Sequence, residues 1–275
     1  MAERFRATAR GRAGLAVAVS MAALGASAPA AGATAPWSGT DRQARAAADV
    51  APPPAPPRRR RVRPRRLIGC HAAGASYRLA GSRAHRVVAL TFDDGPSAYT
   101  SRVLAILRRF GIHGTFFIIG QQVRGNEGLL RRELAAGNAI GNHTFTHAHV
   151  SGGGIRQMLS TQGAIRRATG YTPCLFRAPY GAVSGLLMRQ ARGLGMNTIQ
   201  WSVDPRDWSR PGTGAIYSRI VSATRPGAII LMHDGGGARG ETVAALPRVI
   251  STLRARGYRF ATLPQLLGLA PRYAG

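Results

Sequence analysis

Two carboxylates stand side by side in the run Thr91-Phe92-Asp93-Asp94-Gly95-Pro96, directly after the apolar stretch Val87-Val88-Ala89-Leu90. Adjacent acids repel unless a cation or basic group is close, so the pair reads either as a charged site at a strand end or as a plain Asp-Gly turn. A second group, Gly141-Asn142-His143-Thr144-Phe145-Thr146-His147, sets two imidazoles four residues apart. On a helix or helical turn that spacing points both rings to one side, within reach of a single ion. Zinc proteases with this spacing carry a Glu directly after the first His; here that position is Thr144, so the protease reading fails. A carboxylate from the first group would supply a third ligand and leave positions open, as a catalytic zinc requires. Capping or simple hydrogen bonding by the His pair is the alternative. His149, two residues on, projects elsewhere and reads as a bystander.

These groups need a scaffold. From Leu67 onward short apolar runs alternate with stretches of helical periodicity, the pattern of β-α units around a parallel sheet. Strands are expected at Arg86 to Phe92, Thr115 to Ile119, Ala139 to Asn142, Leu175 to Arg177, Asn197 to Val203, Ala228 to Met232 and Arg259 to Leu263. Helices are expected near 98 to 110, 127 to 136, 153 to 168, 184 to 194, 213 to 224 and 241 to 256, several ending at a Gly. Beyond residue 66 the chain has eight acids, and Asp93, Asp94, Asp204, Asp207 and Asp234 all fall at or just past an expected strand end. In α/β folds that edge is where active sites collect.

Three more segments follow or end strands: Phe176-Arg177-Ala178-Pro179-Tyr180-Gly181, Trp201-Ser202-Val203-Asp204-Pro205-Arg206-Asp207-Trp208, and Ile230-Leu231-Met232-His233-Asp234. Taken singly, the Trp residues could be core, Arg177 a solvated charge and His233 a satisfied buried imidazole. Together with the first two groups, the chain resembles the polysaccharide deacetylases, carbohydrate esterases with the NodB homology domain. Their ordered motifs are TFDDGP, H-[ST]-x-x-H, R-x-P-[YF]-G, D-x-x-D-W and L-x-H, and all five occur here in order over about residues 86 to 263. Ala178 stands where the family often has Pro. The resemblance implies a distorted (β/α) barrel of about seven strands with a groove on its strand-end face. It implies Asp94, His143 and His147 as ligands of a divalent metal and Asp93 as catalytic base, held by Arg177. It further implies Tyr180 as the backbone donor to the oxyanion, His233 as general acid paired with Asp207, and Trp208 and Leu231 as the acetyl pocket.

The chemistry of an acetamide asks for such a set, because its carbonyl is resonance-stabilised and its amine leaves poorly. A metal polarises the carbonyl and acidifies water, a base takes a proton, donors hold the oxyanion and an acid protonates the amine. Two neutral imidazoles and a carboxylate favour zinc, although cobalt, nickel and iron accept the same ligands. A two-His, one-carboxylate site also describes non-haem iron oxygenases, which would leave Asp93, Arg177, Asp207 and His233 unexplained. The expected substrate is an N-acetylglucosamine polymer, peptidoglycan before chitin oligosaccharides. An O-acetyl esterase on xylan and an inactive sugar-binding homologue are the alternatives.

All 38 basic residues are Arg, giving a formal net charge of +27, which points to compositional bias as much as to an anionic partner. Residues 1 to 33 read as an export signal, with Arg4, Arg6, Arg10 and Arg12 before an apolar run from Leu15 to Leu24 and small residues at Ala28 to Ala33. An uncleaved anchor is the rival reading. Residues 34 to 66 carry Pro and Arg without apolar periodicity, which suits a disordered stalk able to touch an anionic cell wall. No nucleic-acid recognition motif accompanies the charge. Residues 67 to 275 then form the catalytic domain, secreted or wall-associated and expected to be a monomer. Two cysteines are too few for a disulfide scaffold or a four-thiolate zinc site; Cys70 and Cys174 are expected to bond in an oxidising compartment.

Overall fold

The computed structural model describes residues 65–274, so the expected signal and all but the last two residues of the stalk lie outside the described residues. Three strands, β1 (Leu67–Cys70), β2 (Tyr77–Arg78) and β3 (Val87–Gly95), lead into α1 (Ala98–Arg109). Then come β4 (Thr115–Ile118), α2 (Glu127–Ala135), β5 (Ala139–Asn142), α3 (Ile155–Thr169), β6 (Leu175–Phe176) and α4 (Gly185–Gly193). The chain continues through β7 (Asn197–Ile199), α5 (Thr213–Ala223), β8 (Ile229–His233), α6 (Gly240–Ala255), β9 (Arg259–Phe260), α7 (Leu263–Leu266) and β10 (Pro271–Tyr273). Among the described residues no helix is long and apolar enough to cross a membrane.

The apolar runs become strands because helices cover them; β3, β4 and β5 are buried along nearly their whole length, as parallel strands under helices must be. The main sheet runs β2-β7-β6-β5-β4-β3-β8 with every neighbour parallel, and β9 joins the start of β3. One strand was expected over 197–203, and the structure divides it. β7 stops at Ile199, and after Gln200-Trp201 the chain pairs with β8 instead. There Ser202 N–H donates to Ile229 O (3.0 Å) and Leu231 N–H to Val203 O (2.9 Å). The sheet thus curls back on itself as a distorted (β/α) barrel.

The helices form on amphipathic stripes, and some of them are also capped by side chains. α6 buries Thr242, Val243, Leu246, Val249, Ile250 and Leu253, a stripe at helical spacing. α1 starts from a reciprocal cap in which Ser97 Oγ accepts from Tyr99 N–H and Thr100 Oγ1 accepts from Ser97 N–H. α3 stops at Gly170, whose φ of 74° closes the left-handed C-cap.

Four elements were not anticipated: β1, β2, β10 and α7. Each spans two to four residues, too few to show a period. β1 and β10 pair antiparallel as a ribbon apart from the barrel. A Cys70–Cys174 disulfide, Cα atoms 5.3 Å apart, ties β1 to the residue before β6. It is buried against Ala89, Phe117, Leu175, Ile199 and Ile229. Its ends are 104 residues apart in sequence, and closing so long a loop restricts the unfolded chain by about 4.7 kcal/mol in the chain-entropy treatment, before any strain is subtracted. Replacing both cysteines with Ala should therefore lower the unfolding free energy by about 2–4 kcal/mol in urea denaturation. A loss under about 1 kcal/mol would mean that packing alone secures the ribbon.

Candidate active site

Successive residues of a strand point to opposite faces, so Asp93 and Asp94 can share a pocket only if β3 breaks its register. It does: Asp93 pairs with Phe117 of β4, the next pairing is Gly95 with Ile118, and Asp94 takes a φ of 72°. The bulge brings Asp94 round to the face that Asp93 occupies. Glycine makes room behind it, since a Cβ on Gly236 would stand 2.3 Å from Asp94 Oδ2.

His143 and His147 enter from the segment after β5, and their rings meet with centroids 5.0 Å apart. The expected helix or helical turn is absent. Thr144 and His147 take φ of 65° and 59°, and the segment is a loop tied by side chains. Asn142 Oδ1 accepts from Thr144 N–H (3.0 Å), and Gln157 Oε1 accepts from Phe145 and Thr146 N–H (2.8 and 2.9 Å). Left-handed residues and local side-chain acceptors thus do the work assigned to helical spacing.

His143 Nδ1 lies 2.8 Å from the Arg177 carbonyl, which can only accept, so Nδ1 carries the proton and Nε2 offers its lone pair. His147 Nδ1 is 3.2 Å from Tyr180 OH. Both Nε2 atoms face Asp94 Oδ1, at 3.4 and 3.1 Å. That buried oxygen has no conventional hydrogen-bond partner, and one ligand atom from each of the three residues falls within 4.8 Å of the others. An orphaned carboxylate oxygen between two imidazole lone pairs fits a divalent cation. Burial works against the Asp94 charge, yet the imidazoles of His143 and His147 beside it outweigh burial and hold the carboxyl well below its usual range. Asp93 and Asp94 likewise raise His143 in spite of its burial, so the cluster attracts positive charge, proton or metal ion.

Arg177 follows β6 and is fully buried, not solvated. Its Nη1 donates to Asp93 Oδ1 (2.7 Å) and Thr91 Oγ1 (2.9 Å), its Nη2 to Gln200 O (3.1 Å), and its plane lies 4.1 Å from the Phe117 ring centroid. The guanidinium therefore fixes one oxygen of Asp93, while Oδ2 stands 3.8 Å from His143 Nε2.

Opposite, Asp93 pairs in register with His233, the last residue of β8. Asp207 binds this residue twice, Oδ1 at 2.7 Å from His233 Nδ1 and Oδ2 accepting from His233 N–H (2.9 Å); Thr242 Oγ1 donates to the same Oδ2 (2.7 Å). Burial disfavours a charged His233, but the Asp207 hydrogen bond and charge, with Asp93 and Asp94 beyond, raise it above its ordinary value.

A cavity of about 420 Å³ joins these groups, lined by Asp93, Asp94, His143, His147, Tyr180, Trp208, Leu231 and His233, with Arg177 and Asp207 behind its wall. Tyr180, at φ 59°, and Trp208 are 71% and 48% exposed, so both stand at the rim and Trp208 is not core; Leu231 is buried in the wall. His149 is outside the three-residue cluster but stacks on Tyr180, centroids 6.1 Å apart. Sequence reasoning missed Arg239, 95% buried, whose Nε and Nη2 donate to Gly235 O (2.6 Å) and Gly236 O (2.9 Å) behind Asp94. Among 38 Arg residues nothing in the sequence marks that one.

A family model described as polysaccharide deacetylase matches residues 80–199. A peptidoglycan-N-acetylglucosamine deacetylase of Bacillus cereus is 38% identical over 189 residues, 66% of this chain and 88% of that protein. A chitooligosaccharide deacetylase of Sinorhizobium fredii is 41% identical over 194 residues, covering 65% and 90%. Among solved structures, a peptidoglycan N-acetylglucosamine deacetylase in complex with 4-naphthalen-1-yl-N-oxidanyl-benzamide is 31% identical with a TM-score of 0.68, covering 70% of this chain and 93% of that one. The family model ends before Asp207 and His233, whereas the alignments with whole relatives are longer. With 88–90% of those two relatives matched at 38–41% identity, around a barrel of the same kind, this chain belongs to the polysaccharide deacetylase family.

Proposed function

We propose that this protein hydrolyses the N-acetyl groups of N-acetylglucosamine residues in a polysaccharide, peptidoglycan first and chitin oligosaccharides second, releasing acetate. One observation carries the reading: a three-ligand cluster, an Arg-held carboxylate and an Asp-held imidazole converge on a single cavity. Asp94, His143 and His147 hold the divalent ion, with zinc favoured by the donor set and cobalt, nickel or iron able to replace it. When bound, the ion polarises the acetamide carbonyl and acidifies the attacking water. Asp93, with Oδ1 engaged by Arg177, takes the water's proton on Oδ2. Tyr180 presents its backbone N–H to the carbonyl oxygen as charge develops there. His233, kept in one tautomer by Asp207 on Nδ1, passes the proton on Nε2 to the departing amine. Trp208 and Leu231 enclose the acetyl methyl.

The acid role has a sign that can be measured. His233 must be protonated to act, and its raised pKa keeps it so above its usual range, so its deprotonation sets the alkaline limb of amide turnover. Asp207→Asn removes the charge that raises it and should move that alkaline limb down by about one to two pH units. A pH profile of kcat/KM on a soluble oligosaccharide reads this directly, and an unmoved limb would take the acid role from His233. The reading also places the enzyme outside the cytoplasm, exported by residues 1–33 and monomeric, with its Arg-rich stalk touching an anionic wall. The disulfide suits that compartment. Acetate release measured side by side on peptidoglycan, chitin oligosaccharide and acetylated xylan tests the substrate. Release from xylan alone would replace amide by ester hydrolysis, and release from none would make the chain an inactive homologue.

A further inference from the structure

We infer that a second groove beside the catalytic cavity binds carboxylates carried by the glycan strand, and so favours acidic peptidoglycan over neutral chitin; this rests on the deacetylase reading above. The groove holds about 610 Å³ and lies between the segment after β4, α2 and α3. Its floor is apolar, made by Val123, Phe145 and Ala164, and Arg124, Arg131 and Arg167 line it with Glu127 as the single acid. Arg131 is fixed across the groove, Nη1 donating to Ala168 O at 2.8 Å. Among the described residues, neither Arg124 nor Arg167 has a carboxylate within 4.0 Å. The Glu127 carboxylate accepts from Gly125 N–H at 3.2 Å and, as one charge beside three, offsets the arginines only in part. Planar guanidinium groups take carboxylates through paired, charge-assisted hydrogen bonds, so this lining suits an organic acid with some apolar bulk.

The placement ties the groove to catalysis. The loop from His143 to His147 is a common wall: its imidazoles face the catalytic cavity and Phe145 faces the groove. That wall is held by Gly120 and Gln121 N–H donating to Thr144 O and Phe145 O, both at 2.9 Å. One wall away from the catalytic cavity, the groove lining carries three positive charges against one negative. Peptidoglycan carries carboxylates next to its N-acetylglucosamine residues, on the lactyl ether of a sugar without a peptide or within the peptide of a sugar that has one, whereas chitin bears none, so only the former can offer a carboxylate to the groove.

The test uses the full chain, a peptidoglycan glycan fragment with free carboxylates, the same fragment with its carboxylates amidated, and a neutral chitin oligomer. Arg124→Gln with Arg167→Gln should raise KM about tenfold on the acidic fragment, leave its kcat unchanged, and leave KM on the two neutral substrates within about twofold. Glu127→Gln should lower KM on the acidic fragment alone. Arg102→Gln with Arg109→Gln removes equal charge from α1 and should change nothing. Titration calorimetry of the acidic fragment reads binding without turnover. If the wild type releases no acetate from any substrate, the deacetylase reading fails, and loss of heat in the groove variant still decides the site. Equal effects on acidic and neutral substrates, an equal effect of the α1 pair, or tighter binding of a carboxylate-free phosphodiester polymer would overturn the proposal.

Discussion

Asp93→Asn should keep its divalent ion and lose turnover by about 10²–10⁴-fold, the span of a missing general base. The side chain is assigned to proton transfer on Oδ2, while its Oδ1 accepts from Arg177 and makes no bond to the ligand cluster. Asn preserves an oxygen for that hydrogen bond, so the cluster of Asp94, His143 and His147 keeps its geometry. What is lost besides the base is the counter-charge of a fully buried guanidinium, so stability should fall as well. Metal content by elemental analysis, acetate release and a thermal melt on one preparation separate these effects. A metal-free Asp93→Asn would show that the two adjacent carboxylates have exchanged roles.

His143→Ala and His147→Ala should each lose the ion and the activity together. With three protein ligands in all, removing one cuts affinity by more than the roughly 10–100-fold that follows loss of an outer hydrogen bond. His143→Ala should be the more damaging to the fold, because its Nδ1 also satisfies the buried Arg177 carbonyl, whereas His147 is partly exposed and leans on Tyr180. Titrating zinc into the apo-proteins with a competing chelator measures the affinity change. Either variant holding zinc as tightly as the wild type would remove that imidazole from the ligand set.

How legible this was depended on the kind of signal. Seven strands of the main sheet, β3 to β9, were visible because buried parallel strands are written as apolar runs, bounded by helices whose period differs, while the two-residue β2 was not. The acids and imidazoles were visible because carboxylates are scarce here and fall at strand ends. Backbone irregularity was hidden. Nothing in Asp93-Asp94 announces the bulge that joins two carboxylates on one face, and a spacing of four between imidazoles was read as helical when left-handed Thr144 and His147 achieve it in a loop. The break of β7 at Gln200-Trp201 left no compositional trace either, because both halves are equally strand-like and only their partners differ. Arg239 was lost in a uniform background of Arg.

Asp93 and His233 sit opposite one another on hydrogen-bonded neighbours, β3 and β8. Their separation is therefore a property of the backbone ladder, fixed by the repeat of the sheet and insensitive to the length of any connection. The cluster-forming loop, the Tyr180 turn and the Trp208 rim are hung on segments between elements, where insertion and deletion are tolerated. Evolution can then reshape what the rim admits, strand by strand of polymer, while the proton donor and acceptor stay at a constant interval. Drift in substrate preference and loss of chemistry are thereby uncoupled in the architecture, and a chain of this construction can change its polymer without rebuilding its acid and base.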